Sequence, residues 1–582
     1  MSRWCACLTA DDPAGQVAAM GGRPVRTRDG RHALGLLDGP GAASGPYRVG
    51  DVYAIGEVTL HNAPELRSRL GADGTGGAPA DCSDGELLLR AYVRFGTAGL
   101  AAADGMFALA IAERDELVLV RDHMGARTLF HARAGTGDRA AWAASTSLRA
   151  LQRWPALATG LHLPAVRSFL TFAYLPGRET LLRGIHEVRP GRCVRLKPDG
   201  SSVEETYWEP AEVTDERPAA EHARELRELL ESATARRLPT AEPVGVLLSG
   251  GVDSSLVTAL AAKLHDQAVR SYSISFGGDA PNELAYSGLV AAHCHTEHQV
   301  LTVPGEAVAA RLPETVALLD SPVGDPLTVP NLMLAEAVAA DGMSVVLNGE
   351  GGDPVFGGPK NLPMLIHELH RDEAGVDSRA RAYVDSYRKC HGDLPVLLTP
   401  GVLAELADAP PVTELLAPYL SQGRMTSLLN QLLHTNLRTK GAHHILTKVE
   451  RITASQGLEG RAPLFDRAVV DHAFRVPPRL KLAGTSEKWI LKEAVRDLLP
   501  PTIVDRPKSG MRVPVQQWLD GPLRELGHDL LLGSSARARG LFREDTIRSW
   551  LRREGTLLPR QGGKLWLVLT LELWLRSFEV GA

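Results

Sequence analysis

The chain has 582 residues, with 64 Lys and Arg against 69 Asp and Glu, so its formal net charge is −5 at pH 7. This length is sufficient for two or three domains with substantial cores, and this charge excludes a globally basic protein that binds nucleic acid. The six cysteines are scattered without the spacing of a disulfide framework, which indicates a reducing compartment. We therefore expect a cytoplasmic protein with no nucleic-acid partner.

The ends of the sequence show neither a signal peptide nor a membrane span. Asp11 and Asp12 follow Leu8 closely, so the N-terminus lacks a signal-type apolar stretch. The most apolar late run, residues 565–575, is interrupted by Glu572 and is too short to cross a bilayer. We expect this run to be a buried C-terminal helix, and we expect no membrane partner.

Residues 1–210 are rich in short runs with β character, separated by polar turns. The clearest runs are residues 106–111 and 116–120, and the two glycines of residues 133–138 predict another turn. Several strands with few helices predict a layered sheet domain over residues 1–210. A charged, proline-containing stretch, residues 197–219, is predicted to be the linker that follows it.

From about residue 220 the pattern changes to alternating helices and strands, which predicts a parallel, doubly wound sheet in a second domain over residues 220–582. The part from about residue 360 onwards is predicted to be largely helical. The predicted elements of the alternating part are a helix at 221–237, a strand at 244–248, a strand carrying Tyr272, Ile274 and Phe276, a helix at 332–340 and a strand at 344–347.

The strand at 244–248 runs into Ser249-Gly250-Gly251, and an amphipathic helical stretch begins soon afterwards. Glycines let the backbone come close to a ligand, and the free N–H groups and dipole of the helix N-terminus favour an anion. No Gly-Lys-Ser/Thr follows the glycines, so this is not a Walker loop. The segment predicts a phosphate-binding turn in which Ser254 and Ser255 donate to phosphate oxygens.

A second glycine-rich segment, residues 349–353, also follows a predicted strand. Ligands of doubly wound sheets bind at the carboxyl ends of the strands, so we expect both glycine-rich segments on that edge. Asp253 and Asp353 lie one in each segment, and carboxylate oxygens are suitable ligands for magnesium.

Five segments of the second domain together resemble the asparagine synthetase family, which includes β-lactam synthetases and lasso-peptide cyclases. The resemblance covers nearly the whole chain. The matching segments are Leu248-Ser-Gly-Gly-Val-Asp-Ser-Ser255, Asn348-Gly-Glu-Gly-Gly-Asp-Pro-Val-Phe-Gly-Gly358, Lys448-Val-Glu-Arg451 with Leu458-Glu-Gly-Arg-Ala-Pro-Leu-Phe-Asp466, Lys488-Trp-Ile-Leu-Lys492 and Arg506-Pro-Lys508-Ser-Gly510.

The resemblance implies an ATP-pyrophosphatase-type synthetase domain, in which a carboxylate becomes an acyl-adenylate and an amine then expels AMP. It implies ATP and Mg²⁺ as cofactors, with Asp253 and Asp353 as metal ligands. Lys488 and Lys508 are expected to face phosphates or the developing oxyanion, because adenylation needs cations near the charge that develops on pyrophosphate. The residues expected to bind ATP are Leu248, Ser249, Gly250, Gly251, Asp253, Ser254, Ser255, Ser275 and Gly349.

Glu350 is the candidate base for the amine, since a carboxylate near the acyl carbon can take a proton from an ammonium group. By resemblance, asparagine synthetases have Glu at the matching place, whereas β-lactam synthetases have Tyr. Pro354 replaces a Glu of the family pattern, residues 359–363 lack its aromatic residue, and Ser321 replaces the Glu of an Asp-Glu-Pro segment. These changes predict an acid other than aspartate.

The first domain resembles the family's N-terminal-nucleophile glutaminase, which implies an αββα layered fold. That chemistry needs a Cys directly after the initiator Met, because the free α-amine of the Cys acts as the base. Position 2 is Ser, and Cys5 would become N-terminal only after removal of four residues. Ile55 stands where an oxyanion Asn is expected, and no glutamine-binding segment is visible near 39–40. We therefore expect an inactive glutaminase.

The sequence thus predicts an AMP-forming amide synthetase that joins a small-molecule or peptide carboxylate to an amine not supplied by its own glutaminase. Natural-product biosynthesis is the expected setting, and a homodimer is left open. Three alternatives stay open: a lasso-peptide macrolactam cyclase, a glutamine-dependent amidotransferase that exposes Cys5, and a catalytically silent binding or scaffold protein. The paired His443 and His444 are interpreted as structural.

Overall fold

The structure is a computed structural model in which two compact units can be distinguished. The first unit comprises Met1–His162 and Gly177–Glu209, and the second comprises Leu163–Pro176 and Pro210–Ala582. The residues that the structure describes are 3–26, 30–37, 45–71, 79, 81–213, 215–278, 283–358, 361–370, 376–387, 389–421, 423–508, 510–554 and 561–580.

The first unit contains two six-stranded sheets, and its helices are α1 (Pro13–Ala19), α2 (Ala63–Gly71), α3 (Asp84–Phe95), α4 (Thr97–Ala102) and α5 (Leu148–Gln152). One sheet has the order β10-β8-β9-β1-β3-β2, and the other has the order β12-β11-β7-β6-β5-β4. The strands are β1 (Trp4–Leu8), β2 (Gly22–Arg26), β3 (His32–Leu37), β4 (Tyr47–Val49), β5 (Val52–Leu60), β6 (Gly105–Glu113), β7 (Glu116–Arg121), β8 (Phe130–Ala134), β9 (Ala141–Ser145), β10 (Ile185–Glu187), β11 (Arg192–Leu196) and β12 (Ser202–Thr206).

The side chains of β6 show why this unit is layered. Phe107, Leu109 and Ile111 pack into a core with α3 and α4, whereas Ala108 and Ala110 pack between the two sheets. Alternate residues of a strand point to opposite faces, so an all-apolar strand must be covered on both. Helices α1 and α5 contact the other sheet, which completes the predicted αββα order.

The predicted linker over residues 197–219 is wrong in its first part. Residues Ser202–Thr206 form the edge strand β12, paired antiparallel with β11. All five residues of β12 are exposed, so hydrogen bonding to β11 holds the strand in place and no apolar face does. A charged strand at a sheet edge is hard to tell from a linker by sequence, because neither buries an apolar stripe.

The second unit is built on a parallel five-stranded sheet, which confirms the predicted doubly wound architecture. Its order is β15-β14-β13-β16-β17, so the chain leaves β13 towards β14 on one side and later returns to β16 on the other. The crevice between β13 and β16 is therefore the topological switch point, where such sheets bind ligands. The strands are β13 (Val244–Leu247), β14 (Val269–Ser275), β15 (Glu297–Thr302), β16 (Val345–Leu347) and β17 (Glu459–Arg461).

Helices surround this sheet and form most of the rest of the second unit. The first of them are α6 (Leu163–Phe172), α7 (Ala219–Ala235), α8 (Val252–Leu264), α9 (Leu284–His293), α10 (Gly305–Leu318), α11 (Thr328–Ala340), α12 (Gly352–Phe356), α13 (Asn361–His370), α14 (Val376–Tyr387), α15 (Leu394–Leu397), α16 (Pro400–Leu406), α17 (Ala417–Leu420), α18 (Leu428–Asn436) and α19 (Leu446–Ser455). The last helix in the chain is predominantly buried, as expected of the run at 565–575.

The remaining helices are α20 (Arg467–Arg475), α21 (Pro478–Lys481), α22 (Trp489–Val495), α23 (Pro501–Val504), α24 (Val515–Asp520), α25 (Arg524–Leu531), α26 (Ser534–Arg539), α27 (Glu544–Leu551) and α28 (Gln561–Ser577). A small hairpin joins β18 (Leu482–Ala483) to β19 (Ser486–Glu487). Short 3₁₀ turns lie at Gly137–Arg139, His391–Asp393, Val412–Leu415 and Pro463–Phe465. Within the described residues, no helix has the length and apolar character that a bilayer crossing requires.

Helices α18 and α19 belong to one continuous helix, because the segment between them, Leu437–Ile445, is π-helical. The residues at the junctions, Asn436 and Leu446, both keep right-handed helical dihedrals. A π-helical turn widens the helix and is frequent at functional sites. This segment brings Lys440 and His444 to the site described below.

Candidate active site

The two glycine-rich segments meet at the carboxyl edge of the parallel sheet, as predicted. They follow β13 and β16, which are neighbours in the sheet. A Cβ atom on Gly352 would lie 2.2 Å from Asp253 Oδ1, and one on Gly349 would lie 2.4 Å from the backbone nitrogen of Ser254. Only glycine therefore permits this approach of the second segment to the first turn of α8.

The first segment forms a turn that leaves the start of α8 open. The backbone N–H of Ser249 donates to Ser254 Oγ at 3.1 Å, and the hydroxyls of these two serines lie 3.0 Å apart. The cap residue Gly251 offers no side chain to the first N–H groups of α8. A 13-residue helix with an uncapped N-terminus beside two hydroxyls is suited to an anion.

Two lysines from late in the chain neutralise the predicted metal ligands. Lys488 Nζ lies 2.5 Å from Asp253 Oδ2 and 2.5 Å from Asp353 Oδ1, and Lys508 Nζ lies 3.4 Å from Asp253 Oδ2. Asp253 raises the pKa of Lys508 well above its usual range. Burial by itself would raise the pKa of Asp353, but the positive charges of Lys488 and Lys508 outweigh this effect and lower the pKa to about 2. Asp353 and Lys508 are therefore both charged at neutral pH.

The donor set also fits magnesium. Asp253 Oδ1 is buried and has no hydrogen-bond partner among the described residues, so one carboxylate oxygen is left over. Asp353 keeps 44% of its side chain exposed. Magnesium is commonly bound by one or two carboxylates together with substrate phosphates, and Asp253 and Asp353 supply that number of carboxylates. Among the described residues, no cluster of three or more His, Cys, Asp or Glu side chains is suited to a metal.

A cavity of about 330 Å³ opens next to this charge cluster, within the range of small-molecule sites. It lies wholly in the second unit, between the two glycine-rich segments, β14 and the long helix of α18 and α19. Nine of the residues predicted from the sequence line it: Leu248, Ser249, Gly251, Asp253, Ser254, Gly349, Glu350, Asp353 and Lys508.

Four predicted residues do not line this cavity. Lys488 lies behind the carboxylates with 1% of its side chain exposed, and it faces a smaller recess instead. Ser255 is fully buried one turn into α8, and Ser275 accepts from the Gly277 N–H at the end of β14. Gly250 has φ +80 and shapes the turn through its backbone. The catalytic role of Lys488 and the ATP-binding roles of Gly250, Ser255 and Ser275 therefore remain predictions. Only the nine residues that line the cavity are placed to contact a ligand inside it.

Arg506 fixes the turn at Gly250 from outside the cavity. Its Nη1 donates to the carbonyl of Gly250 at 3.2 Å, and its guanidinium forms an ion pair with Glu283. The guanidinium also stacks 3.9 Å from the centre of the Tyr286 ring. Because Lys508 follows two residues later, the same segment positions the turn and supplies a cation to it.

Sequence reasoning gave no role in the site to Asp325, Lys440, His444 and Lys448, although all of them line the cavity. The last three recur every four residues along the long helix, which is the spacing of one helix face and was the available signal. His444, which was interpreted as structural, lies in the wall of the cavity, and its role stays a prediction. Asp325 lies in the connection between α10 and α11, and no pattern in the sequence marked it as a site residue.

Asp325 and Lys448 form a buried ion pair in the cavity wall, with Lys448 Nζ 2.6 Å from Asp325 Oδ2. Burial opposes the charge of Lys448, but Asp325 and then Glu350 raise its pKa above the usual value. Burial likewise opposes the charge of Asp325, whose pKa Lys448 nevertheless holds far below its usual range. Burial lowers the pKa of His444 to about 3, so its imidazole is neutral.

In the first unit, Cys5 and Ile55, the described residues on which the expectation of an inactive glutaminase rested, are both buried. Cys5 lies in β1 between β3 and β9, is fully buried, and burial raises the pKa of its thiol to about 12. Ile55 packs in the core between the two sheets. Asp84, at the start of α3, accepts the backbone N–H of Leu60 at 2.8 Å. Ser2, the region near 39–40, and residues 359–360 lie outside the described residues.

Two family models match the chain. One, described as asparagine synthase, matches residues 225–576, and the other, described as a glutamine amidotransferase domain, matches residues 30–208. The two matches agree with the two-domain α/β architecture and with the order of its parts.

Individual relatives span most of both chains. A Mycobacterium bovis protein provisionally named asparagine synthetase (glutamine-hydrolyzing) is 28% identical over 571 residues, which cover 91% of this chain and 85% of that protein. Asparagine synthetase (glutamine-hydrolyzing) 1 of Bacillus subtilis is 24% identical over 541 residues, which cover 88% and 84%. Carboxyethyl-arginine β-lactam-synthase of Streptomyces clavuligerus is 28% identical over 457 residues, which cover 78% and 72%. The chain belongs to the asparagine synthase family of carbon–nitrogen ligases.

Proposed function

We propose that this protein forms an amide bond in two steps, through an acyl-adenylate. A substrate carboxylate attacks the α-phosphorus of ATP and releases pyrophosphate, and an amine then attacks the acyl carbon and releases AMP. The observation that carries this proposal is the position of Asp253 and Lys508 beside the open N-terminus of α8, in the wall of the cavity that Glu350 also lines. Lys488 contacts Asp253 from behind this wall.

For the first step, the turn at Ser249–Ser254 provides the site for the phosphates of ATP. The N–H groups at the start of α8 and the two serine hydroxyls donate to phosphate oxygens. Lys508 supplies positive charge where charge develops on pyrophosphate. Asp253 and Asp353 would hold Mg²⁺, which when bound would supply positive charge next to the phosphates.

For the second step, Glu350 and Lys448 have complementary roles. Glu350 lines the cavity and accepts the proton that the amine loses as its nitrogen bonds to the acyl carbon. The Lys448 ammonium stabilises the oxyanion that forms at the acyl oxygen, before the bond to AMP breaks. Lys448 pairs with Asp325 and is influenced by Glu350, which supports a place for Lys448 near the proposed base.

The amine is proposed not to come from glutamine hydrolysis in the first unit. Burial of Cys5, its raised thiol pKa and the apolar Ile55 all argue against a working nucleophile and oxyanion site there. The amine is then free ammonia, a second substrate, or a group on the acyl substrate itself. An altered acyl pocket around Pro354 supports an acid other than aspartate and a role in natural-product biosynthesis.

The test is ATP–pyrophosphate exchange with a panel of small-molecule and peptide acids. Wild-type protein is expected to exchange label with at least one acid, and Asp253→Asn is expected to lose about 10²-fold or more of that rate. Asp266→Asn, just beyond α8, is the matched control and is expected to retain the rate. Absence of exchange with every acid would favour a silent binding protein.

A further inference from the structure

The Asp325–Lys448 pair has features that a merely structural ion pair does not need. Both side chains line the cavity, and only 15% of the Asp325 side chain and 5% of the Lys448 side chain are exposed. Asp325 Oδ1 accepts the backbone N–H of Leu327 at 3.0 Å, and its carbonyl accepts the Thr328 hydroxyl at 3.0 Å. The carboxylate is therefore fixed at the start of α11, and only Oδ2 is directed at Lys448.

Lys448 has two carboxylates within its electrostatic reach, Asp325 and Glu350. Its ammonium sits on a flexible four-carbon stem, so the direction of the ammonium depends on the carboxylate that holds it. If Lys448 paired with Glu350, it would neutralise the proposed base and leave the position from which it faces the acyl group. The short contact with Asp325 keeps Lys448 from doing so.

We propose that Asp325 is the positioning residue for amine transfer: it holds the Lys448 ammonium beside the acyl group and leaves the Glu350 carboxylate free to accept the amine's proton. Asp325 itself touches neither substrate nor reacting atoms in this assignment. His444 Nε2 lies 4.0 Å from Asp325 Oδ2, and burial lowers the pKa of this imidazole to about 3, so His444 adds no competing cation. This inference rests on the two-step reaction proposed above.

The chain contains a matched control pair on the same two elements. Asp320 also lies between α10 and α11, and its Oδ2 is 3.0 Å from Arg451 Nη1, one turn beyond Lys448 on α19. Both side chains are at most 3% exposed, and neither lines the cavity. Asp320→Asn and Asp325→Asn therefore each remove a buried carboxylate from the same junction, but only the second faces the reaction.

The experiment measures amide formation and ATP–pyrophosphate exchange on the same preparation of each full-length variant, with an acid and amine that the wild-type protein accepts. The ratio of the two rates is independent of the fraction that is folded. In Asp325→Asn the ratio is expected to fall by on the order of 10²-fold, as for a displaced catalytic group. Asp320→Asn is expected to keep the wild-type ratio, and Asp325→Glu is expected to recover part of the loss.

A double-mutant cycle with Glu350→Gln separates positioning from general weakening. Because part of the role of Asp325 is to keep Glu350 free, Asp325→Asn is expected to cause a smaller loss in the Glu350→Gln background than in the wild-type protein. Equal ratios in Asp325→Asn and Asp320→Asn, or fully additive losses, would overturn the inference while leaving the two-step reaction intact. Wild-type protein without exchange for any acid would instead overturn the reaction itself.

Discussion

Lys488 Nζ lies 2.5 Å from Asp253 Oδ2, although Lys488 has a left-handed backbone with φ 56. A left-handed backbone conformation at a non-glycine residue destabilises the folded state by about 1–2 kcal/mol. Lys488 is the cap residue of α22, and its buried ammonium also reaches Asp353 Oδ1. The protein thus places a resident cation between two carboxylates that the sequence suggested as metal ligands, so a bound Mg²⁺ would share these carboxylates with Lys488.

Lys488→Met is expected to lower the free energy of unfolding by about 3–5 kcal/mol, because it leaves two carboxylates facing each other without their buried cation. Added Mg²⁺ is expected to recover part of this loss by supplying the missing charge. Chemical unfolding with and without Mg²⁺ measures both effects. Lys263→Met, which removes a surface ion pair to Glu231, is the control and should change stability by less than about 1 kcal/mol. Equal stability of the two variants would contradict the assignment.

Glu350→Gln is expected to preserve ATP–pyrophosphate exchange and to slow amide formation by about 10²–10⁴-fold, since glutamine keeps the shape but accepts no proton. The defect is expected to shrink as the pH approaches the pKa of the amine, because more of the amine is then already deprotonated. Parallel measurements of both rates against pH provide the check. A uniform drop in exchange and amide formation would place Glu350 in ATP binding instead.

Cys5 is expected to stay unlabelled by a thiol reagent in the folded protein, because it is fully buried and its pKa is raised to about 12. Cys294 is less buried than the other five cysteines and should label first. Cys5→Ser is expected to leave amide formation unchanged, and glutamine hydrolysis should be at background in both proteins. Glutamine-dependent product formation that disappears in Cys5→Ser would revive the amidotransferase alternative, as would a mature N-terminus beginning at Cys5.

The buried side chain of Lys481 leads us to expect an unusual dependence of stability on pH. It is fully buried, burial lowers its pKa to about 7, and its Nζ donates to Asn430 Oδ1 at 2.6 Å. Between about pH 7 and 10 the unfolded chain keeps a proton here that the folded chain has lost, so this group makes stability rise with pH across that window.

Lys481→Met is therefore expected to raise the free energy of unfolding at pH 7 by about 2 kcal/mol or more, because an apolar side chain avoids the cost of burying an amine. The gain should shrink as the pH approaches about 10, near the pKa of lysine in the unfolded chain. Urea unfolding at several pH values tests this, with Lys263→Met as the exposed control. A gain that is the same at both ends of the range would show that titration of Lys481 is not its cause.

Local patterns in the sequence were sufficient to predict the architecture and to predict one wall of the cavity. A strand, a glycine turn and a helix start are contiguous in the chain, so Ser249, Gly251 and Asp253 could be placed relative to one another before folding was considered. The parallel sheet then required that the segment around Glu350 lie on the same edge. Helix and strand ends shifted by a few residues, as for α7, which begins at Ala219 rather than at 221.

The sequence by itself thus determined the αββα and doubly wound units, the glycine turn after β13 and the position of the candidate base on the same edge, because each depends on contiguous residues. Only the tertiary structure decided which distant charges meet. Lys488 pairs with Asp253 across 235 positions, and Lys448 pairs with Asp325 across 123. Such pairs depend on how helices pack and on the wide π-helical turn before Lys448, and neither is encoded in local propensity. For the same reason the face with Lys440, His444 and Lys448 was recognised as a cavity wall only in the folded chain.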